Sequence, residues 1–313
     1  MSGLSLSQAR VVDPVLTAVA QGYKHAERVG HTLFPTVPVE VRGGTVLEFG
    51  RESFRLYMSR RAPGAPVLHI DFGYKGRKFE LVQDALKAKV PREILDDARA
   101  VPGVDVQARA INVCMNSLTL TVEAEQAKLA TDPLNYTDDR KVMLAGDMKW
   151  SAPDSDPVED VATAKETIRM SCGVDPNRMV ISSSIFRALK NHPKIIDRFK
   201  YTSSDSITAA MLANYFDLDM LKVGKAVALD GAAAVDAPFM DVWGNSAVLA
   251  YVPAAAMGPE EPSFGYTYTL RGHPFVEPGA YDANVYSWLY GVTYERLPVL
   301  TGIAAGFLFQ NVA

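Results

Sequence analysis

The sequence is poor in cysteine, with two in 313 residues: Cys114 and Cys172, far apart and outside any CxxC pattern. That spacing excludes a disulfide framework and predicts folding in a reducing cytoplasm. No stretch approaches the ~20 consecutive apolar residues that a membrane helix needs, and no basic region followed by an apolar run opens the chain as in a secretory signal. Neither sign of charge dominates. There are 32 Lys+Arg against 36 Asp+Glu, a formal net charge of −4 without a basic or acidic tail, so no polybasic arm announces nucleic-acid binding.

Catalytic patterns are equally scarce. His25, His31, His69, His192 and His273 are scattered, with no HxH, HExxH or Cys/His metal spacing, and read as surface or packing histidines. Cys114 falls on the apolar stripe of a long helix and reads as a small core residue; Cys172, with no histidine nearby, reads the same way. GKAVALDGAAA lacks the GxxxxGK[ST] and GxGxxG patterns of phosphate-binding loops. The pair Asp154 and Asp156, beside prolines, reads as a solvated turn and helix cap rather than a divalent-ion site. Ser182-Ser183-Ser184 has no elbow glycines. No catalytic residue, cofactor or metal ligand is predicted.

What the chain does have is the composition of a folded protein, 48% hydrophobic and 22% charged, and a layout that alternates strand and helix signals. After a polar leader over residues 1–33, in which Val11 to Ala26 can hold one short helix, alternating Val37, Val39 and Val41 predict a strand. Gly43-Gly44 is read as a turn and Thr45 to Tyr57 as an extended run. A Pro63-Gly64-Ala65-Pro66 turn follows, and Val67, His69, Asp71 and then Phe79, Leu81 and Ala85 return. Two arms of about a dozen residues at ~3.3 Å each make a ribbon on the order of 40 Å long. Such a ribbon is marginally stable alone and has to lean on something else, such as another copy of the chain.

Asp105 is positioned as the N-cap of the longest helix, which ends at Thr131-Asp132-Pro133. Ala108, Ile111, Met115, Leu118, Val122 and Leu129 follow three- and four-residue spacing, with Gln107, Asn112, Asn116, Thr119 and Glu123 opposite. About 25 residues at ~1.5 Å give a rod approaching 38 Å. Asp156-Pro157 opens a helix through Met170. Then come a strand at Met179–Ser183, a helix, a short helix over 191–201, a helix capped by Ser206, the strands LKVGKAVALD and DVWGNSAVLAYVPAA, and aromatic-rich strands over 264–313. The fold class is α+β.

The basic residues Arg51, Arg55, Arg60, Arg61, Lys75, Arg77 and Lys78 gather on the ribbon, interleaved with Glu48, Glu52, Asp71 and Glu80. Two readings stand side by side: solubility with protection of strand edges, or charge pairing with a neighbouring subunit.

The stretch from Trp150 through Val223-Gly224 resembles tailed-bacteriophage major capsid proteins of the Hong Kong 97 type. The pieces are Trp150 with its Asp/Pro-rich turn, Gly173, Pro176-Asn177, Met179-Val180-Ile181, His192-Pro193, Asp197-Arg198, Thr208, Leu212-Ala213 and Val223-Gly224. LFPTVPVEVRGGTVLEFGRESF upstream and DVWGNSAVLAYVP downstream extend the resemblance over most of residues 30–255. It implies an N-terminal arm (1–33), an extended loop (45–82) and a peripheral domain (34–44, 83–171 and 264–313) with a spine helix over about 105–130. An axial domain (172–263) completes it. The implied function is a major capsid protein that self-assembles into hexamers and pentamers of an icosahedral head around double-stranded DNA.

The implied partners are further copies of the chain, a portal, optionally a decoration or cement protein, and DNA packaged without sequence specificity. With ~33 residues before the first strand signal there is no room for a cleaved scaffolding segment, so a separate scaffolding protein is expected. The implied location is the virion capsid, assembled in the host bacterial cytoplasm without a membrane. The loop residues Arg51, Arg55, Arg60, Arg61, Asp71, Lys75, Arg77 and Lys78 become candidates for intersubunit contact. Lys75 and Lys78 lie where some members form an isopeptide crosslink, which is not expected here. The alternatives are an encapsulin-like nanocompartment shell of the same fold, and an α+β enzyme with a deep pocket of titratable groups.

Overall fold

The computed structural model describes residues 13–48, 60, 75–99, 105–200, 206–229, 234, 236–253 and 263–313. The chain enters through helix α1 (Pro14–Gly22), whose N-cap Asp13 accepts from Val15 N and Leu16 N. Strands β1 (Thr36–Val39), β2 (Gly43–Glu48), β3 (Lys75–Glu80) and β4 (Val82–Pro91) follow, then α2 (Arg92–Arg99) and the long α3 (Val106–Thr131). Next come β5 (Lys141–Met143), α4 (Pro157–Cys172), β6 (Arg178–Ser182), α5 (Ser183–Asn191), α6 (Pro193–Phe199) and α7 (Ala209–Tyr215). The rest is strand: β7 (Met220–Gly224), β8 (Val227–Ala228), β9 (Met240–Asp241), β10 (Ser246–Ala250), β11 (Gly265–Leu270), β12 (Phe275–Val276), β13 (Ala280–Asp282), β14 (Ser287–Leu300) and β15 (Gly306–Gln310).

Two sheets carry the core. In the first, the 14-residue β14 is the centre. One edge pairs along all of β4, from Ser287↔Pro91 to Arg296↔Val82; the other edge pairs in turn with β13, β12 and β11, and β1 joins β11 in parallel. The second sheet has the order β5-β15-β10-β6-β7. The middle residues of its central strands are apolar without alternation because both faces are covered. Met179, Ile181, Ala247, Leu249, Phe307 and Phe309 pack into a cluster with residues of α4, α5, α6 and α7. The alternating residues Val180, Val248, Ala250 and Leu308 pack on the opposite side with Phe34, Ala127, Ala130 and Trp243. Each Val, Leu, Ile, Phe or Met among them contributes roughly 1.5–3 kcal/mol on burial.

Helix α3 bridges the two sheets. Asp105 caps it, accepting from Ala108 N at 2.9 Å, as expected. Ile111, Cys114, Met115 and Leu118 of its first half pack against β4, β12 and β14 through Val90, Val276, Tyr290 and Val292. Ala127 and Ala130 of its second half meet the second sheet's cluster, where small side chains admit a close approach. Cys114 is a core residue as read, and burial pushes its thiol pKa up. His192 is also buried; its Nε2 lies 3.1 Å from both Ser155 Oγ and the Ala152 carbonyl, and burial lowers its pKa.

Several local expectations need correction. Gly43-Gly44 is not a turn: both residues lie in β2, and the chain bends just before them. A Cβ on Gly44 would come within 2.9 Å of the Phe79 ring, so the glycine serves ring packing. The cap of α7 is Thr208, accepting from Met211 N, and not Ser206. Strand β10 starts at Ser246, because Val242–Asn245 form the turn that carries Trp243. Glu123, assigned to the polar face of α3, is 2% exposed. Strands β5 and β15 pair in the second sheet, β5 in parallel with β15 and β15 antiparallel with β10.

Candidate functional site

The basic ribbon singled out in the sequence is described at its root. There β2 and β3 pair antiparallel from Gly43↔Glu80 to Glu48↔Lys75, and among the described residues they pair only with each other. The root is fastened by an apolar contact and a charged one. Leu81 N donates to the Arg42 carbonyl at 2.8 Å where the two strands separate, and Leu81 is buried with Val37, Tyr266, Tyr268 and Leu270. The Phe79 ring lies on Tyr268 with centroids 4.8 Å apart and planes at 19°, an offset stack that ties β3 to β11.

The charged contact is a fork. Arg42 Nε donates to Glu295 Oε2 at 2.6 Å and a terminal guanidinium nitrogen donates to Oε1 at 2.9 Å. This bidentate pairing raises the Arg42 pKa. Glu295, in the middle of β14, is 3% exposed at its side chain. Gln83 Nε2 donates to the same carboxylate at 3.2 Å, and the Glu295 backbone N–H donates to His273 Nδ1. On the same flank Arg271 pairs with Glu40 at 2.7 Å, and its N–H donates to the Val39 carbonyl.

The next residue of β14 faces the other way, as strand periodicity requires. Arg296, with a side chain 1% exposed, donates to Asp84 Oδ2 at 2.7 Å and to Glu125 of α3. Glu295 and Arg296 thus fasten opposite faces of one strand, the first to the hairpin root and the second to the long helix. Neither was singled out from the sequence. The available signal was a charged dipeptide inside the apolar run of YGVTYERLPVL.

Of the ribbon candidates, Arg51, Arg55, Arg61 and Asp71 lie outside the described residues. Arg60 is exposed. Lys75 and Arg77 sit on β3 opposite Glu48 and Val46, and Lys78 is exposed opposite Thr45. The root therefore places Lys75, Arg77 and Lys78 on one strand. Asp156, the acid of the rejected ion site, caps α4 through Glu159 N and pairs with Lys194 at 3.3 Å. Among the described residues no cluster of three or more His, Cys, Asp or Glu is placed to hold a metal, and no helix is long and apolar enough to cross a membrane.

Comparison with known proteins gives this architecture its context. The family model for phage major capsid protein E matches residues 130–236. The chain is 35% identical over 311 residues to the major capsid protein of Burkholderia phage BcepMu, covering 98% of both. A crystal structure of a phage-related protein from Bordetella bronchiseptica RB50 superimposes with a TM-score of 0.84 at 45% identity, covering 97% of this chain and 99% of that one. The capsid structure of cyanophage P-SCSP1u shares the fold alone, with a TM-score of 0.56 at 11% identity over 99% and 95% of the two chains. With two sheets bridged by a long helix, and a relative alike from end to end, this chain belongs to the phage major capsid proteins of the Hong Kong 97 type.

Proposed function

We propose that copies of this chain form the hexamers and pentamers of an icosahedral phage head enclosing double-stranded DNA, with the β2–β3 hairpin of one subunit lying across its neighbour. The observation that carries this reading is the contrast at the hairpin root. The base is fastened by a buried carboxylate and a stacked ring pair, while β2 and β3 pair only with each other among the described residues. A two-stranded ribbon of that kind gains stability from a surface outside its own subunit. In this reading residues 1–33 are the arm and 45–82 the extended loop. Residues 34–44, 83–171 and 264–313, with α3 as the spine helix, are the peripheral domain, and 172–263 the axial domain.

Further copies of the chain are the main partner. A separate scaffolding protein, a portal and optionally a decoration or cement protein complete the set, with assembly in the host bacterial cytoplasm. DNA is enclosed without sequence readout, and the net charge of −4 suits a shell that is filled rather than one that captures DNA with a basic tail. Arg51, Arg55, Arg60, Arg61, Asp71, Lys75, Arg77 and Lys78 are the contact residues this reading assigns to the loop. The test is electron microscopy of the purified chain, alone and with its scaffolding protein. Closed particles are the expected result; a monodisperse monomer under every assembly condition would overturn the reading.

A further inference from the structure

Glu123 lies in the second half of α3, 2% exposed, yet its carboxylate accepts three hydrogen bonds from two distant parts of the chain. Val29 N donates to Oε1 at 3.0 Å and Gly30 N to Oε2 at 2.8 Å. Trp243 Nε1, from the turn before β10, donates to Oε1 at 2.7 Å. Trp243 is itself 1% exposed, and its ring covers Gly224 of β7 so closely that a Cβ there would meet Cδ1 at 2.3 Å.

The segment that Glu123 holds has no ladder of its own. Residues 29–34 precede β1 and form a single 3-10 turn over Gly30–Thr32, closed by Thr32 N to the Val29 carbonyl and by Leu33 N and Phe34 N to the Gly30 carbonyl; side chains from three directions tie that turn to the rest of the subunit. Glu123 and Gln126 come from α3, and Gln126 lies so near Gly30 that a Cβ would meet its Oε1 at 2.1 Å. Gln126 Nε2 donates to Thr267 Oγ1 at 2.8 Å, and that hydroxyl donates to the Phe34 carbonyl. Arg178 of β6 donates to the Thr32 carbonyl at 3.0 Å. The turn's ties to the rest of the subunit therefore run largely through side chains, and Glu123 is the acceptor they share with the Trp243 turn.

We infer that Glu123 is a clasp that locks the N-terminal segment and the Trp243 turn to the long helix together, so that opening either one opens the other. Both sets of donors share one enclosed carboxylate. If the segment withdraws, water enters beside Glu123 and competes for the indole N–H; if the indole withdraws, the carboxylate loses the partner that orients it toward Val29 and Gly30. The two regions lie on opposite sides of the long helix in sequence, and a movement of the chain's N-terminal part is thereby felt at the edge strand β7 through the ring on Gly224.

The clasp lies within one subunit, so the unassembled full-length chain tests it by hydrogen-exchange mass spectrometry of peptides covering 23–34 and 239–246. Glu123→Gln presents an amide N–H₂ to N–H donors, and is expected to speed exchange in both peptides by about tenfold or more. Trp243→Phe keeps a ring over Gly224 and removes only the N–H; it is expected to speed exchange in 23–34 as well. The double variant is expected to exchange no faster than Glu123→Gln alone. Unchanged exchange over 23–34 in Trp243→Phe, or additive effects in the double variant, would overturn the clasp. Should Glu123→Gln not fold, the unmodified chain in low denaturant still decides: both peptides open with one common denaturant dependence if the clasp exists, and with separate ones if it does not.

Discussion

The second sheet and the β2–β3 hairpin are stabilised by opposite means. Strands β6, β10 and β15 alternate side chains between two apolar clusters, so nearly every residue is enclosed whichever way it points. The hairpin has a charged sequence and one firm end, held by Glu295 under Arg42 and by Phe79 on Tyr268. The sheet is complete within one subunit. The hairpin root, among the described residues, pairs only strand to strand, and under the proposed assembly its charged side chains are the groups offered to a neighbour. Under the proposed assembly the first kind of region holds the subunit together and the second meets the neighbouring copy.

Substitutions in the two regions are accordingly expected to separate stability from assembly. The largest effect on stability belongs to the sheet. Leu249→Ala, at a fully buried position of β10, is expected to cost about 2–5 kcal/mol in urea unfolding of the subunit, because the two-sided packing leaves little room for collapse into the cavity. A loss below about 1 kcal/mol would show that this sheet is not the dominant core.

An intermediate effect is expected at the root. Glu295→Gln turns one acceptor of the Arg42 fork into a donor in a buried setting, at a cost of about 1–3 kcal/mol. Its signature is local: faster exchange at Leu81 N–H and the first β2–β3 pairs, with the second sheet unchanged. Equal acceleration in both sheets would mean that Glu295 supports the whole fold instead of the hairpin.

The smallest effect on stability is expected at the ribbon. Arg60→Glu with Arg61→Glu should leave unfolding within about 0.5 kcal/mol, since Arg60 is exposed, while lowering the yield of closed particles. Normal particles from this variant would assign the two arginines to solubility alone. The three changes together are expected to form a gradient from subunit stability to particle yield.

How much of this was legible depended on how local the cause was. The long helix announced itself through Asp105 and the spacing of Ile111, Met115 and Leu118, because capping and amphipathicity act within a few residues. The apolar run Met179–Ile181 likewise marked a strand covered on both faces. Glu123 was misplaced because helical spacing alone puts it with Asn112, Asn116 and Thr119. Its three donors lie 93 to 120 residues away along the chain. Gly44 was read as a turn because a glycine pair usually marks one, and the ring that requires it arrives from the paired strand.

The sequence by itself therefore determined the elements, their order and the family to which the chain belongs. Hydrophobic period, caps and turn residues act over one or two turns of chain, and the family's motifs are read at fixed spacing. Tertiary structure alone decided which sheet each late strand joined, and that Glu295 and Arg296 would fasten opposite faces of one strand. It also decided that a carboxylate on the expected polar face of α3 would be enclosed. Each of these depends on donors, acceptors and rings brought together from remote positions, where the cost of burying an unpaired polar group selects a geometry that no local pattern encodes.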